Sequence, residues 1–113
     1  NSTPVVAGYQ LLTYPFSCEM ALSNTTLIAS GATANSSPMS ADRVRVWNPE
    51  LQAYEGYALA PDNNWYKLNE SGGWFSPYTV STHVFTPGEG FFYWAQNPFT
   101  WSEPNPYPDA FAD

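Results

Sequence analysis

Positive charge is nearly missing from this chain. Arg43, Arg45 and Lys67 are its three basic residues against ten acidic ones, for a net charge of −7. A nucleic-acid-binding surface displaces counterions with a stripe of Lys and Arg, and three cations do not make one. The same shortage argues against anionic membrane surfaces. No apolar run nears the roughly 18 residues of a membrane-spanning helix, and the best candidate, Val5 to Leu12, is broken by Gly8 and Gln10. A starting Met, a basic leader and an apolar leader core are also missing, so the chain reads as a mature product with its targeting segment removed. Cysteine occurs once, at Cys18, which leaves these residues no intrachain disulfide and no Cys-based zinc or haem site. Cys18 reads as a small buried hydrophobe, with an intermolecular disulfide as the alternative.

What is abundant is aromatic surface. Trp, Tyr and Phe make up 18% of the 113 residues, and hydrophobic residues 43%. A buried ring removes about 150–250 Å² from water, so a dozen rings supply a core for one domain of this size. Eleven prolines and seven glycines punctuate the chain every few residues, leaving room for at most one short helix, within Glu19 to Ser30. Short β-branched and aromatic runs between turn signals predict an all-β fold, an antiparallel meander or sandwich of about seven or eight short strands. Residues 1–102 form the expected globular domain. Residues 103–113 form an acidic tail with proline at alternate positions, expected to be extended and peripheral.

The centre carries the clearest pattern. Val44 and Val46 alternate with Arg43, Arg45 and Trp47, as in a half-buried strand. After a turn at Asn48 to Gln52, Ala53 to Leu59 reads as its hairpin partner, in a register that sets Arg45 against Glu55 and Trp47 against Ala53. The turn at Ala60 to Asn64 then leads to a third meander strand, Trp65 to Leu68. Further strands are expected at Pro4 to Tyr14, at Tyr78 to Phe85 and at Phe91 to Trp94, the last in a hairpin with Phe99 to Trp101. Residues 30–41 read as a long exposed loop.

Catalytic motifs are sparse. His83, the one histidine, lies in a strand-like stretch with no nucleophile elbow nearby. Glu50, Glu70, Glu89 and Asp62 fall in turns, where carboxylates are simply solvated. Asp62-Asn63-Asn64 lacks the spacing of a calcium loop, and Gly88-Glu89-Gly90 lacks the lysine and helix of a phosphate cradle. No catalytic, cofactor or metal residues are therefore assigned. Asn-x-Ser/Thr sequons at Asn1, Asn24, Asn35 and Asn69 are candidate glycosylation sites and fit an exported protein. Trp65, Trp74, Trp94, Trp101 and Tyr107 are the candidate interface or ligand-stacking aromatics.

Three segments carry a resemblance: Val6-Ala7-Gly8-Tyr9-Gln10-Leu11-Leu12-Thr13-Tyr14-Pro15-Phe16, Asp42 to Trp47, and Thr86-Pro87-Gly88-Glu89-Gly90-Phe91-Phe92-Tyr93-Trp94. In that order they resemble a loose group of exported bacterial β-rich surface modules. The resemblance implies a cell-surface or filament-associated role, and the chain looks like the globular, helix-less chain of a two-chain type IV-like pilus. Its implied partners are further copies of this chain or a short hydrophobic helical chain. The expected function is a non-enzymatic extracellular structural subunit of a filament, with a carbohydrate-binding or adhesive module as the alternative.

Overall fold

The alternation of Val44 and Val46 with Arg43, Arg45 and Trp47 sets one face of a strand inward and the other outward, and the fold is built around that strand. The computed structural model describes residues 2–14 and 18–102. In chain order its elements are β1 (Ser2–Val5), β2 (Gly8–Thr13), β3 (Met20–Ala21), α1 (Leu27–Ser30), β4 (Arg43–Asn48), β5 (Ala53–Leu59), β6 (Trp65–Lys67), β7 (Val84–Phe85), β8 (Gly90–Ala95) and β9 (Phe99–Ser102), with single 3₁₀ turns at Leu22–Asn24 and Pro38–Ser40. The protein is all-β and antiparallel.

One five-stranded sheet, in the order β2-β8-β4-β5-β6, forms the larger layer. The pairs β1–β9 and β3–β7, with α1, cover one face of it. Leu12, Phe91, Tyr93, Val44, Val46, Leu59 and Trp65 point into the space between the layers. Val5, Trp101, Leu22, Leu27 and Phe85 meet them from the other side. Ring pairs span the interior: Phe85 lies 4.6 Å from Phe91, and Phe91 lies 5.9 Å from Trp101, centroid to centroid. Gly31 follows α1 with φ +131°, and a Cβ there would come within 2.9 Å of the Phe99 Cβ, so only glycine lets α1 turn this close to β9.

Asp42 is the buried polar node of the fold. Fully buried, it accepts the Tyr93 hydroxyl at 2.6 Å and the Gln96 backbone N–H at 2.8 Å. Its own N–H donates to Thr33, and its carbonyl accepts from Leu59. Gln96 adds side-chain bonds to the Met39 and Ala41 carbonyls. The loop at 32–42 is thereby fixed against β5 and the end of β8. Burial pushes the Asp42 carboxyl above its ordinary value, opposed by the Tyr93 hydroxyl and the Gln96 and Thr33 backbone.

Four expectations need correction. The β4–β5 hairpin runs one residue out of the expected register: Arg45 faces Gly56, Trp47 faces Tyr54, and Glu55 faces Val46. Asn48 stays in the strand opposite Ala53, because its Oδ1 accepts the N–H groups of Glu50 and Leu51 and closes a shorter turn. The stretch Pro4 to Tyr14 is two strands in different sheets, divided after Val5, with β2 starting at Gly8 (φ +103°). The segment Tyr78 to Phe85 is not a central strand. Residues 79–81 instead flank β6 through a single antiparallel bridge of Val80 with Tyr66, with Lys67 N–H donating to Thr79 and Ser81 N–H to Trp65, and within the segment only Val84–Phe85 forms a strand. Finally, β9 pairs with β1 rather than forming a hairpin with β8, whose two neighbours are β2 and β4. The β4-β5-β6 meander is as expected. The tail at 103–113, with Tyr107, and Asn1 lie outside the described residues.

Candidate functional site

The uncovered face of the large sheet follows from strand parity. Residues paired across an antiparallel ladder share a face. Tyr9 opposite Trp94, Leu11 opposite Phe92, Arg43 opposite Trp94, Arg45 opposite Phe92 and Gly56, and Trp47 opposite Tyr54 therefore all project away from the core. Tyr9 is 51% exposed, Leu11 64%, Trp47 45% and Tyr54 47%. These are not scattered side chains. Tyr9 lies 5.7 Å from Phe92 and 5.9 Å from Trp94, Phe92 lies 5.8 Å from Tyr54, and Tyr54 lies 5.0 Å from Trp47. The rings form a continuous band across β2, β8, β4 and β5. Phe92 and Trp94 are half-buried within it, so its solvent-exposed apolar surface lies at Tyr9, Leu11, Trp47 and Tyr54.

The cations are concentrated here as well. The Arg45 guanidinium donates to the Tyr9 hydroxyl at 3.1 Å and lies 5.4 Å from the centre of the Tyr54 ring. Arg43 lies 5.1 Å from the centre of the Trp94 ring. Each ring contact is worth about 0.5–1 kcal/mol at an exposed position. Neither arginine has a carboxylate within 4.0 Å among the described residues. Lys67, from edge strand β6, reaches the same groove, 3.8 Å from Glu55 and 4.8 Å from the Phe75 ring centre. All three basic residues of an acidic chain thus border one open groove of about 1140 Å³, between the sheet and the loop at 68–75. Gly56, opposite Arg45, lines it too, as do Glu55 and Glu70. The arrangement suits binding: stacked rings offer flat apolar area, and two arginines unmatched by carboxylates offer charge. Its side chains include neither a histidine nor a cysteine.

The aromatics singled out from sequence divide sharply. Trp65 and Trp101, 1% and 2% exposed, pack the core and present no ring to a ligand. Trp74 is half-buried and clamps two loops, its indole N–H donating to the Ser36 carbonyl at 2.8 Å. Trp94 alone of these lies in the ring band. Sequence reasoning missed Tyr9, Trp47, Tyr54 and Phe92. The signal was present in the alternation of Trp47 with the arginines, but the one-residue register error placed Tyr54 with the valines.

The His83 Nε2 lies 2.8 Å from one Glu89 carboxylate oxygen, which accepts its hydrogen bond, and the other Glu89 oxygen accepts the Thr86 backbone N–H. The pair staples the turn before β8, while the nearby Ser81 hydroxyl accepts the His83 backbone N–H instead of meeting the imidazole. Asp62 accepts the Asn64 N–H and the Tyr66 hydroxyl, which locks the β5–β6 turn. Cys18 is half-buried, with Sγ 3.9 Å from the Tyr14 hydroxyl. Of the described sequon asparagines, Asn24 and Asn69 are exposed and Asn35 is half-buried. The Asn69 Oδ1 accepts the N–H groups of Ser71 and Gly73. Comparison of the chain with protein-family models, curated proteins and solved structures finds no match.

Proposed function

We propose that this protein is a non-enzymatic extracellular structural subunit that builds or coats a cell-surface filament. Its partners are further copies of itself and, in a pilus-like assembly, a short hydrophobic helical chain. The observation that carries this reading is the outward-facing band in which exposed Tyr9, Tyr54 and Trp47 surround half-buried Phe92 and Trp94. Lasting protein interfaces enrich aromatic residues and arginine at their centres and exclude other charges. The band has that composition on a rigid sheet, where little side-chain and backbone freedom is lost on docking.

The test is sizing of the full chain over a wide concentration range, with negative-stain microscopy of the concentrated sample. The expected result is concentration-dependent assembly, alone or on addition of a hydrophobic helical chain. A monomer at millimolar concentration under both conditions overturns the reading. Carbohydrate binding is the second reading, favoured by the exposure of Tyr9 and Tyr54 beside the groove, since aromatic rings dock on the apolar faces of sugars. Glycan-array binding that disappears in Tyr54→Ala would promote it.

A further inference from the structure

We propose that the ring band and its arginines receive the C-terminal segment, residues 103–113, of a second copy of this chain. The inference rests on the filament reading and names the contact by which copies would join.

Three observations carry it. The first is charge. The segment holds Glu103, Asp109 and Asp113, three of the ten acidic residues, and no base, while the groove is bordered by all three bases of the chain. Lys67 is paired with Glu55 at 3.8 Å, and Glu55 and Glu70 also line the groove, so its unmatched positive charge rests on Arg43 and Arg45, neither within 4.0 Å of a carboxylate among the described residues. The second is shape chemistry. Pro104, Pro106 and Pro108 alternate in the segment, with Tyr107 among them. Such sequences favour the polyproline II conformation, whose ridges pack between exposed aromatic rings at little entropic cost. The rings of the band touch one another at 5.0 to 5.9 Å, so the ridge lies in the open groove beside them, against exposed Tyr9 and Tyr54, which line it.

The third is direction. The segment follows Ser102 at the end of β9, and β9 with β1 packs on the core side of the large sheet, opposite the ring band. Eleven residues extend about 35 Å at most, long enough to reach across to an adjoining copy. A neighbour's ring band is the natural receiver. Because donor and receiver surfaces differ, the contact is head-to-tail, the geometry that propagates into rings or filaments.

The experiment uses full-length variants. Arg45→Ala/Tyr54→Ala alters the receiver at exposed positions, and Tyr107→Ala/Asp109→Asn alters the donor. Each alone is expected to lower self-association at least tenfold in sedimentation, with unchanged circular dichroism and melting. Mixing the two restores a single intact contact, so heterodimers form and nothing longer. Neutralising the segment with Glu103→Gln, Asp109→Asn and Asp113→Asn gives a test by sign. Here the loss of three acidic charges weakens association, whereas simple like-charge repulsion between copies predicts that it strengthens it. A synthetic peptide of residues 103–113 should shift the amide signals of Tyr9, Arg45 and Tyr54 in the full chain. Assembly that persists in all variants overturns this contact and leaves the filament reading standing. A wild-type monomer that ignores the peptide overturns both. Docking of the segment on its own chain, seen as concentration-independent contact, or binding of an acidic oligosaccharide at the band without the peptide, overturns the proposal as well.

Discussion

The two faces of the five-stranded sheet carry similar chemistry and opposite fates. On the inner face Phe91, Tyr93, Trp65 and the valines of β4 are sealed beneath β1, β9, β7 and α1. On the outer face, one residue out of phase, Tyr9, Trp47 and Tyr54 are exposed and Phe92 and Trp94 half-buried, in a band with no second layer of strands over it. Hydrophobicity does not distinguish them. Phe91 and Phe92 are adjacent and identical, and strand parity alone sends one to the core and the other to the surface. A ring on the covered face supplies stability; a ring on the open face is available to a partner.

Substitutions sharpen that contrast. Trp65→Ala is expected to cost about 3–5 kcal/mol of folding stability by urea denaturation, from lost burial and a residual cavity. Asp42→Ala leaves the buried Tyr93 hydroxyl and Gln96 N–H without an acceptor, at about 2–4 kcal/mol in the same measurement. Gly31→Ala forces a side chain into a φ of +131° and against Phe99, with an expected loss of about 1–3 kcal/mol of stability. Trp47→Ala, on the open face, should stay within about 0.5–1 kcal/mol of wild type. A Trp47→Ala loss equal to that of Trp65→Ala would break the comparison, because the outer rings would then be structural.

The pH dependence of the Asp42 node follows from its raised pKa. The folded chain takes up a proton at Asp42 at a pH where the unfolded chain, with an ordinary value of 3.8, is still ionised. This group therefore adds stability as pH falls toward that value, and the contribution is lost as pH rises through the folded pKa. Asp42→Asn does not titrate. The stability of wild type relative to Asp42→Asn should thus increase between neutral pH and about pH 4; a difference that stays flat or falls removes the assignment. The smallest expected effect concerns glycosylation. If the native protein is modified, peptide mapping should find exposed Asn24 occupied ahead of half-buried Asn35.

Much of the architecture could be read from the residues, and the misses have one cause. The β4-β5-β6 meander and the single short helix follow from local alternation and from the spacing of proline and glycine. The pairings of β8 with β2 and β4, and of β9 with β1, link residues more than fifty apart in several places and carry no local signal. The candidate site was half legible. The alternation at 43–47 set Trp47 beside the arginines on the outward side. Tyr54 was lost to the side chain of Asn48, which shortens the turn by one residue and turns over the face of the next strand.

Composition and local pattern were enough for an all-β domain with a large aromatic core, for its acidic surface, and for the placement of two arginines on one side of one strand. They could not tell a buried tryptophan from an exposed one, since Trp65, Trp94 and Trp101 sit in similar aromatic runs. That distinction depends on which sheet face receives a second layer. Cover comes from β1, β9, β7 and α1, elements remote in the chain, and burial is a property of what packs on a side chain rather than of the side chain itself.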